Sequence, residues 1–260
     1  MSDNKVAIIS GGATLIGQKI AEALHKEGCK IVVGDINSDE GEQFVKTLGE
    51  DALFVKTDIT QDSDIDHCIE QAVSGFGGVD YLVNVAATYL DNGLESSRDD
   101  WISALDTNVV GAGIFTRKIA PYMEKRGGGS VVFFGSIGGK IAQPGRMLYS
   151  VSKAAIIGMT RNMALHLAPM KIRANSVSPG WVWSNPIRDF SGNNRDKADE
   201  VGGPLHMLER IVDTEEVANT VAFLCSDRAS GITGTDIAVD CGYMGMGPEQ
   251  TTDKVSKLAG

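Results

Sequence analysis

A chain of 260 residues is long enough to bury most of its apolar surface without disulfide or metal staples. Its 42% hydrophobic and 22% charged residues are the composition of an ordinary soluble globular protein. A net charge of −10, with no basic cluster denser than Lys125-Arg126, argues against nucleic acid or anionic membrane as a partner.

Met1 to Lys5 lead straight into an apolar strand pattern at 6–10, with no signal peptide. No 18-residue apolar run is present to span a membrane, so a cytoplasmic protein is expected. The first strand ends in Ser10-Gly11-Gly12-Ala13-Thr14-Leu15-Ile16-Gly17, and a helical period over 16–27 follows at once. Glycines in such a turn let backbone N–H groups approach a pyrophosphate at the positive end of the helix. Turns between a strand and a helix also use glycine merely for positive φ, so the run alone is a weak signal. Its place after the first strand strengthens it, and makes Gly11, Thr14, Leu15, Ile16 and Gly17 candidate cofactor contacts.

A second strand at 30–34 runs into Asp35, eighteen residues after Gly17. A carboxylate there accepts hydrogen bonds from a ribose diol and repels a 2′-phosphate. The following Ile36 and Asn37 bring no cation, so NAD is expected rather than NADP.

Further strands are predicted at 52–56, 81–83, 130–135, 172–177 and 236–239. Helices are predicted over 39–49, 62–75, 98–125, 147–168 and 214–226, with Asp62 and Thr214 at N-cap positions. Strict alternation of apolar strands and helices predicts an α/β fold: one doubly wound, Rossmann-type domain around a parallel sheet of about seven strands. That domain is expected to cover 1–245, with a tail over 246–260. Residues 181–213 are polar, glycine-rich and too long for an ordinary connection, which marks them as a lid or binding segment. Cys29, Cys68, Cys225 and Cys241 form no CxxC pair and read as free thiols, with no metal site.

The chemistry is carried by Ser136 and by Tyr149-Ser150-Val151-Ser152-Lys153. Tyr149 and Lys153 are four apart, so a helix puts them on one face. A phenol is a poor base at neutral pH, but a neighbouring ammonium favours its phenolate. Tyr and Lys at this spacing also recur by chance on exposed helices, so the pair alone decides little.

In ordered combination these features resemble the short-chain dehydrogenase/reductase family. The resemblance runs from about Lys5 to Tyr243. It rests on the Gly turn at 11–17, Asp58 after the third strand, Asn84-Val85-Ala86-Ala87 after the fourth and Asn108 in the long helix 98–125. Ser136 thirteen residues before Tyr149, Pro179-Gly180 and Asp240-Cys241-Gly242 complete it. It implies Tyr149 as general acid/base, Ser136 as the hydroxyl that steadies the substrate oxygen, and Lys153 as binder of the nicotinamide ribose that also lowers the Tyr149 pKa. Asn108 would hold a water linking Lys153 to solvent. Asp58 and Ile59 would contact adenine, Asn84 and Ala86 the adenosine side, and Val182 and Ser184 the carboxamide, next to Pro179 and Gly180. Members are commonly homotetramers built on two helices that correspond here to about 98–125 and 147–168, where Gly111, Gly113, Ala155 and Gly158 would permit close approach. Leu15 departs from the family, which usually has a second glycine there. Val85 and Ala87 depart from the usual Asn-Asn-Ala-Gly, and Ser184 stands for the usual Thr.

Around the substrate, the candidates are Ser136, Tyr149, Tyr89, Arg146 and Trp181, with Trp183, Arg188 and His206 in the 181–213 loop. Arg146 lies near a helix start, where the dipole disfavours a cation, so pairing with a substrate anion is one reading and a solvated surface arginine the other. In 3-hydroxybutyrate dehydrogenases, which this region resembles, a Lys at the matching position takes the substrate carboxylate. The favoured expectation is a dehydrogenase of a small polar secondary alcohol or hydroxy acid. An aldose 1-dehydrogenase giving a lactone, or a dehydrogenase of cyclic alcohols or dihydrodiols, are the alternatives within enzymes. A non-catalytic NAD-binding regulator would be expected to lose Tyr149 or Lys153, and both are present.

Overall fold

Five consecutive buried residues, Val6–Ser10, make β1, an apolar run that only a sheet covered on both faces accommodates. Around it lie β2 (Lys30–Asp35), β3 (Ala52–Lys56), β4 (Tyr81–Asn84), β5 (Gly129–Phe134), β6 (Ile172–Pro179) and β7 (Asp236–Val239). The computed structural model describes residues 4–248, 250 and 256–258, so the expected tail lies largely outside them. The seven strands form one parallel sheet in the order β3-β2-β1-β4-β5-β6-β7. Chain direction across the sheet reverses between β1 and β4. In sheets of this kind ligands bind at that reversal, beyond the carboxyl ends of the strands.

Two apolar layers sandwich the sheet. On one face lie α3 (Asp62–Phe76), α5 (Gly111–Lys125) and α6 (Met147–Leu167), with Phe115 and Ile119 at the centre of the packing. The other face is covered by α1 (Leu15–Lys26), α2 (Ser38–Leu48) and α9 (Thr214–Cys225), with Ile20, Leu24 and Val221 fully buried. Burial pushes the Cys29 and Cys68 thiols up to about 12, which makes them packing groups.

The structure corrects two expectations and fills in a third segment. Asp62 and Thr214 are the first residues of their helices, and the N-caps are Gln61 and Asp213. Asp213 N–H donates to Glu216 at 2.9 Å, so the acidic first turn closes back on the cap. The expected helix 98–125 is α4 (Arg98–Leu105) and α5, joined by a π-helical turn at Asp106–Val110. One extra residue in a turn leaves no mark on an apolar period, and such turns gather at functional sites. The 181–213 segment is built: it holds α7 (Asn185–Ser191) and α8 (Arg195–Gly202), and a parallel bridge from Val182 to Val212 pins its ends together.

Candidate active site

The turn after β1 depends on two glycines. Gly11 has φ +73°, and a Cβ there would stand 2.6 Å from Ala86 N. A Cβ on Gly17 would stand 2.3 Å from Gly11 O, so the first turn of α1 can lie against the loop only with glycine at that position. Thr14 caps α1 by accepting the Gly17 N–H at 3.1 Å. Beyond the turn, Asp35 accepts the N–H groups of Ala13 and Asn37, each at 3.0 Å, which fixes its carboxylate beside the glycine loop. A cavity of about 280 Å³ opens there, lined by Thr14, Leu15, Asp35, Asn37, Asn185 and Arg188 among others. Arg188 was expected near the substrate, and the fold brings it to the cavity that holds Asp35.

At the end of β4, both polar atoms of the Asn84 carboxamide are buried without a hydrogen-bond partner. Asp58 is committed to Thr60, accepting its N–H at 2.9 Å and its hydroxyl at 2.7 Å. Ile59 is buried in the core against Gly111, so its side chain is withdrawn from any ligand and only its backbone is available. Ile36 is largely exposed, at 66%. Pro179, Gly180, Val182 and Ser184 lie together where β6 passes into the lid.

The second cluster sits at the carboxyl ends of β4 and β5. Lys153 is buried, and its Nζ donates to Phe134 O at 2.9 Å while lying 5.5 Å from the Tyr149 ring centroid. Ser136 follows β5 and accepts the Gly138 N–H at 3.1 Å, and its hydroxyl lies beside the Tyr149 phenol, whose pKa it works to lower. The phenol pKa is raised above its ordinary value, chiefly by burial, while the Ser136 hydroxyl and the Arg146 guanidinium work to lower it. Burial also lowers Lys153, to about 8.

Asn108 sits on the π-helical turn and is fully used. Its Oδ1 accepts the Thr88 N–H at 2.7 Å, and its Nδ2 donates to Thr88 O and Ser152 Oγ, each at 3.0 Å. Ser152 in turn donates to Tyr149 O at 2.7 Å. The side chain therefore ties the loop after β4 to the helix of Tyr149 and Lys153.

That loop puts Tyr89 face to face with Tyr149, with ring centroids 5.2 Å apart and planes 19° apart. The Arg146 guanidinium lies over both rings, 5.8 Å from Tyr89 and 5.5 Å from Tyr149, with no carboxylate partner among the described residues. Arg146 is the N-cap of α6 and its side chain makes no capping bond. Asp91 supplies that bond, accepting the Tyr149 N–H at 3.0 Å and the Gly93 N–H at 3.0 Å. Sequence reading missed Asp91; the signal was a helix start at Gly145-Arg146 that offers no acceptor of its own.

Trp181 and Trp183 both pack within the lid. Trp183 carries the Arg195 guanidinium at 5.8 Å, and the Trp181 ring abuts Gly202. Fully buried His206 accepts the Trp181 N–H on Nε2 at 3.4 Å, so its Nδ1 carries the proton given to Gly202 O at 2.7 Å. Neither nitrogen is free to act as a base.

Taken together, a phenol with a serine hydroxyl beside it and a buried lysine behind it, next to a glycine-turn groove, is equipped to exchange a proton with an oxygen held over that groove. A family model described as enoyl-(acyl carrier protein) reductase matches residues 11–244. Human dehydrogenase/reductase SDR family member 4 is 34% identical over 244 residues, 92% of this chain and 87% of that protein. The chain belongs to the short-chain dehydrogenase/reductase family. This short-chain dehydrogenase/reductase also overlays the L-sorbose reductase of Gluconobacter frateurii, solved with NADPH and L-sorbose. The TM-score is 0.87 and the identity 29%, covering 93% of this chain and 97% of that one. A 7α-hydroxysteroid dehydrogenase, solved with NADH and 7-oxo glycochenodeoxycholic acid, gives a TM-score of 0.86 at 30% identity, covering 92% and 94%. The protein is thus an oxidoreductase whose structural neighbours carry a nicotinamide cofactor. The residues present fit such a group: the fixed Asp35 carboxylate lines a cavity at the start of α1, and the unpartnered Asn84 carboxamide at the end of β4 offers a further donor and acceptor.

Proposed function

We propose that the protein is an NAD-dependent dehydrogenase of a small polar secondary alcohol, with an anionic hydroxy acid as the favoured substrate class. The observation that supports the reaction is the placement of Tyr149, with the Ser136 hydroxyl beside its phenol and the Lys153 ammonium 5.5 Å from the centre of its ring. NAD, when bound, accepts the hydride from the carbinol carbon. Gly11, Thr14, Leu15, Ile16 and Gly17 would hold its pyrophosphate side, Asp35 and Ile36 the adenosine ribose, and Asp58, the Ile59 backbone, Asn84 and Ala86 the adenosine. Pro179, Gly180, Val182 and Ser184 would meet the nicotinamide end. Tyr149 takes the alcohol proton as the carbonyl forms, Ser136 holds the reacting oxygen, and the Lys153 ammonium favours the phenolate once a substrate is in place. Asn108, through Thr88 and Ser152, keeps these parts in register.

Arg146 supports the anionic class. It is a cation at a helix start, paired with no carboxylate among the described residues and laid over the catalytic ring. The likeness to L-sorbose reductase favours a second reading, a polyhydroxylated neutral substrate. A panel of hydroxy acids, sugars and cyclic alcohols followed by NADH absorbance separates the two. Tyr149→Phe should cut kcat by at least ~10²-fold with little change in NAD affinity; near wild-type turnover would end the assignment. Arg146→Ala should lower kcat/KM for the hydroxy acid by about 10- to 150-fold and spare a neutral analogue. Equal losses would make Arg146 structural. On the cofactor, Asp35→Ala should narrow a wild-type preference for NAD, and a wild-type kcat/KM higher with NADP would overturn that preference.

A further inference from the structure

The lid and the glycine turn, 170 positions apart in sequence, are joined directly: Leu15 N–H donates to Asn185 Oδ1 at 2.9 Å. Leu15 is the first residue of α1, where the free N–H groups and the helix dipole favour an anion. A carboxamide oxygen and a phosphate oxygen are both acceptors for that donor, and they cannot hold it together. One turn further along α7, Arg188 lines the same 280 Å³ cavity as Leu15 and Asp35, and is its one cationic side chain among the described residues. Its nearest carboxylate, the exposed Asp189, lies 3.8 Å away, beyond hydrogen-bond reach.

We propose that α7 is a strap on the cofactor groove: Asn185 holds the Leu15 N–H until a pyrophosphate oxygen of the cofactor takes it, and Arg188 then clamps that phosphate. This rests on the cofactor site proposed above and goes beyond it, because it gives two lid residues opposite effects on cofactor binding. The phosphate prevails over the carboxamide because its charge is favoured at the helix end and meets a guanidinium that forms bidentate bonds. The lid yields without coming apart, since the Val182–Val212 bridge and the Asp199–Ile211 hydrogen bond of 2.9 Å anchor it elsewhere.

The test is the Kd of the full-length protein for NADH and for NADPH, read from the fluorescence of the reduced nicotinamide. Asn185→Ala removes the competitor and should tighten both by about 3- to 10-fold, the worth of one ordinary hydrogen bond. Arg188→Ala removes the clamp and should weaken both by about 10- to 100-fold, with Arg188→Lys between. Asn185→Asp, which sets a carboxylate against the same N–H, should weaken both, and serves if the alanine variant does not fold. Asn185→Ala and Arg188→Ala moving Kd in the same direction would overturn the proposal, leaving α7 a support for the lid. Weakening of NADPH alone by Arg188→Ala would also overturn it, since the arginine would then face a 2′-phosphate. A wild type that binds neither dinucleotide would remove the cofactor reading itself.

Discussion

Lys153 is an ammonium kept where water barely reaches, with one hydrogen bond, to Phe134 O at 2.9 Å. Burial lowers its pKa from 10.5 to about 8. A group held below its unfolded value adds stability that is complete above the unfolded pKa and is lost as pH falls through the folded one. The charged lysine is therefore a cost near neutrality that catalysis retains. Lys153→Met should raise the melting temperature at pH 7, by about 5 °C, while abolishing turnover. Plotted against pH, the difference between variant and wild type should shrink between about 8 and 10.5. Using the difference cancels the buried thiols at Cys29 and Cys68, whose raised pKa values work in the opposite direction. A gap that stays constant through that window would show that Lys153 is not the group responsible.

At the scale of elements, the lid has its own acid sensitivity. His206 is sealed between Trp181 N–H and Gly202 O, and burial holds its pKa below the ordinary histidine value. Protonating Nε2 would set an N–H against the Trp181 N–H. The lowered pKa places the loss of stability on the acid side, as pH falls through the folded value. Hydrogen exchange of residues 202–212 should therefore quicken as pH falls below the ordinary histidine range, before the sheet loosens, and His206→Gln should remove that step. Exchange in this segment that ignores pH would contradict it. The pairs that hold this layer were hidden in the sequence for a physical reason. Apolar alternation and helical period disclosed six of the seven strands almost to the residue, and the spacing of Ser136, Tyr149 and Lys153 placed them together. The bonds Asp91–Tyr149 and Leu15–Asn185 join segments 58 and 170 positions apart at the starts of helices, and a contact of that separation leaves no period to read. The arginine at the cavity of Asp35 belongs to the same class, and only the folded lid shows it.

For the whole molecule, one helix is built at a cost that a single chain does not explain. Gly158 lies in the middle of the 21-residue α6, where glycine costs about 1 kcal/mol against alanine. A Cβ there would meet nothing within 4 Å, so no packing within the chain requires its absence. Gly111, by contrast, is withdrawn from any outer surface: its Cβ would strike Ile59 O at 2.7 Å, and the expectation that it lies at an interface is wrong. Val151 and Leu165 on α6 are 43% and 70% exposed, and Ile102 on α4 and Val110 on the π-helical turn are 59% and 49% exposed. Two copies packing α6 and the α4–α5 side against their mates would cover these side chains, and glycine at 158 would let the backbones approach. A homotetramer of the kind common in the family is the expected assembly. Gly158→Met then separates the two scales in one experiment. It adds helix propensity and a side chain that the single chain has room for, so the fold should be kept, with unchanged circular dichroism. The same side chain would stand between paired helices, so sedimentation should show the assembly reduced to smaller species at micromolar concentration. A wild type that sediments as a stable monomer, or a variant that assembles as the wild type does, would rule this arrangement out.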